Sequence, residues 1–404
     1  MGFCSRLEPI EMPRPLPPTT VTQLTPDGRG AVATLSVSGP ESLELVGQFF
    51  VAASGKSSRQ QGMNAISFGR WSQPNGITED VVVVRRSDDD IEISCHGGLA
   101  AASAIIGSLE SLGAKRIDST PWIAARTYGP LEADAWIALS RAKTERVAGI
   151  LLDQLRGALR RAIGKVLSLV QAGDLDTAHS HLDQLIRHGS VGLHLTTPWR
   201  VAIVGEPNVG KSSLVNRLVG FDRSIVFDRP GTTRDVLTAS TAFDGWPVDL
   251  LDTAGLRDSE DDIEQEGVRR AQKARGSADL AILVLDAQLG PAQLASEHAR
   301  NIPNAIIVAN KQDLASGNDW PEHVVRTSAM TGEGIASLIV AIMDRLVPEP
   351  PRADDPVPWT KPQLTVLRLA FSAVEDVDLV RCQRCLQDLV ASARDVSSLP
   401  SELT

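Results

Sequence analysis

The apolar positions change period along the chain, and the changes mark out its parts. Residues 200–346 alternate short apolar runs with amphipathic stretches. Arg200–Val204, Val248–Leu251, Leu280–Asp286 and Ala305–Ala309 read as strands, the last two apolar throughout and so predicted to be buried on both faces. Strand and helix alternating at this spacing predict a mainly parallel sheet covered on both sides. Residues 131–170 carry no proline and repeat apolar residues at helical spacing, first Leu131, Ala135, Ala138, Leu139 and Ala142, then Ile150, Leu151, Leu155, Leu159 and Ile163. Long helices with a charged outer face are expected there, and residues 363–395 also read as helical. Before residue 120 the pattern is mixed. Ala31–Val37, Val81–Val84 and Ile91–Cys95 read as strands, and Gly98–Leu112 as a helix that stops at Gly113.

Prolines punctuate this pattern. Five lie within residues 9–18, which predicts an unpaired arm, and PEPPRADDPVPWTKP (348–362) reads as a linker. The expected organisation is a proline-rich arm (1–20), a small α+β N-terminal domain (21–120), a first helical part (121–197), an α/β nucleotide domain (198–347), and a linker with a second helical part (348–404). The α/β domain is then an insertion in one helical domain.

Composition narrows the functional classes. The chain has 404 residues and a net charge of −10, which argues against a surface coated in nucleic acid. No apolar run approaches the roughly 18–20 residues of a membrane span, and the N-terminus lacks a charged-then-apolar signal pattern. Four cysteines (Cys4, Cys95, Cys382, Cys385) are too few for a disulfide framework in a chain this long, so a reducing cytoplasm is the expected location. Cys382 and Cys385 form a lone CxxC with no second ligand pair nearby, and read as two small residues one helical turn apart.

The chemistry lies in five ordered motifs. Gly205-x-x-x-x-Gly210-Lys211-Ser212 follows an apolar strand and opens a helix, the context a phosphate loop needs. Its glycines let the backbone turn its N–H groups inward, and the helix N-terminus adds dipole and free donors. Asn208, Val209, Gly210, Lys211, Ser212 and Ser213 are the candidate phosphate contacts, with Lys211 on the β- and γ-phosphates and Ser212 on Mg²⁺. Pro230-Gly231-Thr232-Thr233-Arg234-Asp235 is a polar loop in which Thr232 and Thr233 can close over Mg²⁺ and the γ-phosphate. Asp252-Thr253-Ala254-Gly255 ends a strand; Asp252 can hold a Mg²⁺-bound water and the Gly255 N–H can sense the γ-phosphate. Asn310-Lys311-Gln312-Asp313 offers a carboxylate at Asp313 for both donors on the guanine Watson–Crick edge, a pair adenine does not present. Thr327-Ser328-Ala329 can support the base's O6. Together these motifs select GTP over ATP. Leu256 follows the Gly255 motif where a water-orienting Gln stands in other GTPases, so a catalytic group must come from elsewhere.

GEPNVGKSSLVNRL, IVFDRPGTTRDVL and DTAGLRDSEDDIEQEGVRRA resemble the tRNA modification GTPase MnmE (TrmE) family. GRGAVATLSVSGP (28–40), IEISCHGG (91–98) and LEADAWIALSRAKTE (131–145) extend the resemblance over most of the chain. The resemblance implies a homodimer through the N-terminal domain and face-to-face pairing of nucleotide domains that depends on K⁺. It assigns Asn208 as a K⁺ ligand, Phe227–Thr232 as the K⁺-binding loop and Glu264 as the residue that orients the attacking water. Lys211, Thr233 and Glu264 are therefore the expected catalytic residues. A MnmG-like flavoprotein and tRNA are the implied partners.

The departures are as informative. The family's C-terminal cysteine segment has no counterpart in DVSSLPSELT. Ser36 stands where the family's folate pocket has an Arg, and RRSDDD and PWIAARTYGP replace two further family stretches. A formyl-tetrahydrofolate site is thus poorly supported. His96 of CHGG reads as a folate or dimer contact or as a structural turn histidine, the latter favoured. Three functions are expected to compete: a tRNA-modification GTPase, a regulatory GTPase paralogue that has lost folate binding and modification chemistry, and a nucleotide-binding module that hydrolyses poorly.

Overall fold

The computed structural model describes residues 18–25, 30–56, 60–73, 76–127, 129–221, 237–252, 278–295, 305–315 and 320–391. The chain divides into two compact units, Met1–Arg126 and Thr127–Thr404. The elements named below are those of the described residues.

In the first unit, β1 (Thr20–Gln23), β2 (Val32–Ser38), α1 (Ser42–Phe49), β3 (Phe50–Ala52), β4 (Ile66–Ser72), β5 (Thr78–Arg85), β6 (Asp90–His96), α2 (Leu99–Ser111), β7 (Lys115–Arg116) and α3 (Ser119–Ala124) follow in order. Seven strands form one sheet in the order β3-β4-β5-β6-β2-β1-β7, antiparallel except for β1 with β7. Inward-facing Leu35, Val37, Val83, Ile91 and Ile93 pack with Val46 of α1 and Ile105 and Leu109 of α2. β5 and β6 alternate in burial, as a sheet with one covered face requires, whereas β2 also buries Ser36 between Leu35 and Val37. The reading of β2, β6 and α2 holds to within about two residues, the usual uncertainty of element ends; β1, β3 and β7 are too short to show a period. The arm's residues 1–17 lie outside the described residues, whereas Thr19 is buried and its carbonyl accepts from Lys115 N–H at 2.8 Å.

The second unit opens with α4 (Pro130–Leu139), α5 (Glu145–Leu155), α6 (Ala158–Ala172) and α7 (Leu175–Gly192). The helical periodicity of 131–170 is thus cut into segments, and local chemistry explains the cuts. Thr144 caps α5 by accepting from Val147 N–H, Asp174 caps α7 by accepting from Thr177 N–H, and left-handed Gly157 and Gly173 bound α6. Next come β8 (Trp199–Val204), α8 (Lys211–Val219), β9 (Leu237–Phe243), β10 (Trp246–Asp252), β11 (Leu280–Asp286), β12 (Ile306–Asn310), β13 (Val325–Arg326) and α9 (Ile335–Leu346). The sheet order is β13-β12-β11-β8-β10-β9, parallel except for the β9–β10 hairpin. Alternate residues of β8 bury on opposite faces: Val201 and Ile203 join the core with α8 and α9, while Ala202 and Val204 meet Leu283, Leu285 and Trp320. Double coverage is what the unbroken apolar runs predicted.

The chain then passes through 347–360 to α10 (Lys361–Glu375) and α11 (Leu379–Val390). The proline-rich stretch read as a linker is a packed strap instead. Gln154, 4% exposed, donates to Asp355 O at 3.0 Å and accepts from Val357 N–H at 3.1 Å. Val357 and Trp359 are buried, and the Trp359 N–H donates to Gln363 Oε1 at 2.9 Å. Prolines keep the strap out of regular structure, and side chains from α5 and α10 supply the partners its backbone lacks. Leu364 of α10 lies so close to α7 that a Cβ on Gly189 would stand 2.1 Å from its Cδ2.

The β9–β10 hairpin turns through Asp244 and Gly245, both with positive φ (47° and 75°), as a two-residue turn between twisted strands requires. Its tip is clamped to the start of α5. Thr144 Oγ1 donates to Gly245 O at 2.5 Å, and Arg146 donates to both Asp244 carboxylate oxygens at 3.1 and 3.0 Å. Where α7 gives way to β8, the His194 ring stacks on Trp199 with centroids 3.4 Å apart. Burial lowers the His194 pKa below its usual value, and the opposing Asp279 offsets this only in part.

Two outcomes follow for stability. Gln154→Leu leaves the buried Val357 N–H and the partly buried Asp355 carbonyl without their partner, so the unfolding free energy should drop by about 1–3 kcal/mol in urea titration. An unchanged midpoint would show that the strap is held by its apolar residues alone. The folded state resists protonation of His194, so the unfolded chain binds more protons as pH falls below the ordinary imidazole range. Stability should therefore decline through that window in the wild type and decline less in His194→Gln, as read by urea titrations at matched pH values.

Candidate functional site

Five parallel strands of the second unit end at one edge of the sheet, and the candidate residues lie on the segments leaving that edge. This is where open α/β sheets place their ligands. β8 runs into Gly205, whose φ is 149° and where a Cβ would stand 2.3 Å from Val284 O. Asn208 takes a left-handed φ of 65°, a conformation Asn tolerates better than most residues. Gly210 (φ 91°) caps α8 at its N-terminus, and a Cβ there would lie 2.5 Å from Asn310 Nδ2. The loop therefore closes on itself as a nest above the start of α8, with the helix dipole aimed into it. Lys211, only 7% exposed, donates to Gly205 O at 3.0 Å and to Glu206 O at 2.7 Å, so its ammonium bridges back across the loop mouth. Val209 is buried beneath the loop, and Ser212 and Ser213 are exposed on the first turn of α8.

The base-recognition motifs form the other half. Asn310, at the end of β12 and 1% exposed, is the hub. Its Nδ2 donates to Val209 O at 3.0 Å, and its Oδ1 accepts from Ala329 N–H at 3.0 Å and Thr327 Oγ1 at 3.3 Å. A single buried amide thus joins the phosphate loop to the Thr327-Ser328-Ala329 turn. Asp313 lies in a 3-10 turn (Gln312–Leu314), and Ser328 Oγ donates to its Oδ1 at 2.5 Å. That bond orients the carboxylate and leaves its second oxygen for a donor edge. Lys311, left-handed at φ 66°, pairs through Nζ with Asp286 Oδ2 at 2.7 Å.

Three participants escaped the motif reading. Asp286 closes the apolar strand β11 and caps the turn after it by accepting from Gln288 N–H at 3.0 Å. The Asp286 backbone is held in turn by Gln293, whose Nε2 donates to Asp286 O at 2.7 Å. An acid ending a run of buried aliphatics was the available signal. The third, Arg217 in the last turn of α8, donates from Nε to Ala329 O at 2.9 Å and from Nη2 to Met330 O; nothing in the sequence pointed to it.

Thr232, Thr233, Gly255, Glu264 and the Phe227–Thr232 loop lie outside the described residues. Asp252 ends β10 with its backbone paired to Ile203 of β8, at the same sheet edge as the phosphate loop.

In the first unit, the three departures from the family pattern meet. Ser36 and Ser38 both donate to Asp90 Oδ1, at 3.0 and 2.9 Å. Trp122 Nε1 donates to Ser36 Oγ at 2.9 Å, and Arg126 reaches Asp90 Oδ1 at 3.0 Å while lying over the Trp122 ring. Ser36, RRSDDD and PWIAARTYGP thus build one mutually bonded polar cluster. His96 ends β6 with its ring exposed and paired to Glu79 at 2.5 Å. Cys382 is fully buried on α11, where burial pushes its thiol up to about 11, and Cys385 is half-buried beside it. Among the described residues, no group of His, Cys, Asp and Glu could hold a metal ion, and no helix is long and apolar enough to cross a membrane.

Residues 200–311 match the family model described as a 50S ribosome-binding GTPase. The chain is 33% identical over 360 residues to the tRNA modification GTPase MnmE of Synechococcus sp. (strain CC9605), covering 79% of each chain. It is 33% identical over 377 residues to the tRNA modification GTPase MnmE of Latilactobacillus sakei, covering 80% of this chain and 81% of that one. Among solved structures, the G domain of the T. maritima FeoB iron transporter is 32% identical, with 36% of this chain and 98% of that chain covered and a TM-score of 0.28.

Asp313→Asn exchanges an acceptor for an amide donor at the base edge. Affinity for GTP should fall ten- to a hundredfold, about 1.5–3 kcal/mol for bonds to a charged group, while xanthosine triphosphate gains. Titration of both nucleotides measures this, and undiminished GTP preference would refute the assignment of Asp313.

Proposed function

We propose, from the premise that this chain belongs to the tRNA modification GTPase MnmE family and is a GTPase, that K⁺ stimulates its hydrolysis of GTP through pairing of two nucleotide domains and that the chain acts on tRNA. The observation that carries the nucleotide part of this reading is the Asn310 amide, which ties the phosphate loop at Val209 to the turn at Ala329. That tie supports reading the loop as the phosphate cradle and Asp313 as the purine-reading carboxylate of one guanosine triphosphate site.

The roles follow from the chemistry of each group. Backbone N–H groups from Asn208 to Ser213 hold the phosphates, and Lys211 leaves the Gly205 and Glu206 carbonyls for the phosphate oxygens, a stronger, charge-assisted exchange. Ser212 and Thr233 hold Mg²⁺, with Asp252 acting through water; a hydroxyl at the first turn of α8 suits an oxygen-seeking cation. Held by these residues, the cation would supply positive charge against that of the triphosphate. Asn208 and the Phe227–Thr232 loop take K⁺, Gly255 senses the γ-phosphate, and Glu264 orients the attacking water.

The wider arrangement is proposed on the same footing. The helices α4–α7 and α10–α11 form one domain that receives the nucleotide domain as an insertion, the first unit dimerises, and the protein works in the cytoplasm with a MnmG-like flavoprotein. A second reading, a regulatory GTPase without one-carbon chemistry, is favoured by the Ser36–Asp90–Trp122–Arg126 cluster. Its polar groups satisfy one another, so they do not offer the open cationic surface that a folate's carboxylates would need.

Turnover of GTP should rise at least tenfold when KCl replaces NaCl at equal ionic strength, measured as released phosphate on the full chain. Equal rates in the two salts would remove the cation-driven mechanism.

A further inference from the structure

The turn that follows Ser328 has a small apolar anchor. Thr327 and Ser328 are buried and Ala329 packs, partly covered, against the core, but Met330 is 79% exposed, so the one methyl of Ala329 is the apolar contact that the segment from 329 to 330 makes with it. The backbone of this turn nonetheless carries the Ala329 N–H that meets Asn310, and the Ser328 hydroxyl that orients Asp313. Orientation of the base-reading carboxylate therefore depends on a surface turn.

Arg217 adds a polar anchor to it. It stands on α8, the helix whose N-terminus is the phosphate loop. Nε donates to Ala329 O at 2.9 Å, Nη2 donates to Met330 O, and the guanidinium carbon passes 3.8 Å from where a Cβ of Gly332 would stand. A planar fork on two successive carbonyls fixes both peptide planes, which a single ammonium cannot do. The turn also bonds to itself: Thr331 N–H donates to Ser328 Oγ at 3.1 Å and Gly332 N–H to Ser328 O at 2.8 Å. A grip at 329–330 is thus passed to the serine that holds Asp313.

We propose that Arg217 is a positioning residue for guanine recognition, bracing the Ser328–Met330 turn from the phosphate-loop helix so that Asp313 meets the base's donors. The inference rests on the nucleotide reading given above. It touches no reacting atom, so its signature is in binding and selectivity.

Arg217→Ala and Arg217→Lys in the full chain, titrated with GDP and with inosine diphosphate, test it. The two nucleotides differ only in the 2-amino group that Asp313 reads. In Arg217→Ala the GDP affinity should fall about tenfold and the preference for GDP over inosine diphosphate should narrow about threefold. Arg217→Lys, which keeps the charge without the fork, should lie between the wild type and Arg217→Ala. The KM for GTP should rise in step while kcat stays within about twofold. GDP affinity within twofold of wild type, or an equal loss for both nucleotides, overturns the proposal. Failure of the wild-type chain to bind GDP would instead overturn the nucleotide reading itself.

Discussion

The nucleotide domain depends on one buried amide. Asn310 sits at 1% exposure where an unpaired polar group would cost about 1–3 kcal/mol, and it is paired on both ends. Its donor fixes the phosphate loop through Val209, and its acceptor fixes the turn at Ala329. Neither segment is a strand or helix, and neither could hold its shape by packing alone. The amide geometry imposes the same spacing on both. Gly210 is required by the same contact, because any side chain there would run into Asn310 Nδ2.

Around that amide the site is braced by side-chain contacts between its own segments. Asp286 holds Lys311, Ser328 holds Asp313, and Arg217 holds the carbonyls beyond Ala329. Each brace joins segments far apart in sequence, so each couples elements that local propensity leaves independent. The consequence is a preorganised edge, in which the functional groups keep their orientation through second contacts rather than through burial.

The hairpin of β9 and β10 joins this edge of the sheet to the helix α5. β10 ends at Asp252 beside the phosphate strand, and β9 starts directly after the polar loop that contains Thr232 and Thr233. Its tip is tied to α5 by Thr144 and Arg146. The same threonine caps α5 and grips Gly245, so the start of that helix and the hairpin tip share one hydroxyl. Gln154 in turn ties α5 to the proline strap that leads into α10.

Much was legible from residue order alone. The aliphatic runs 280–286 and 305–309 could only be buried strands, and Gly205 to Ser212 between a strand and a helix could only be a phosphate loop, because period and glycine placement are local properties. The motif order alone selected guanine. What the sequence could not determine was which distant groups would meet: Asp286 with Lys311, Arg217 with Ala329, Gln154 with the strap, and Ser36, Asp90, Trp122 and Arg126 with one another. Those contacts satisfy hydrogen-bonding groups across tens to hundreds of residues, and only the closed tertiary structure brings such groups within bonding distance.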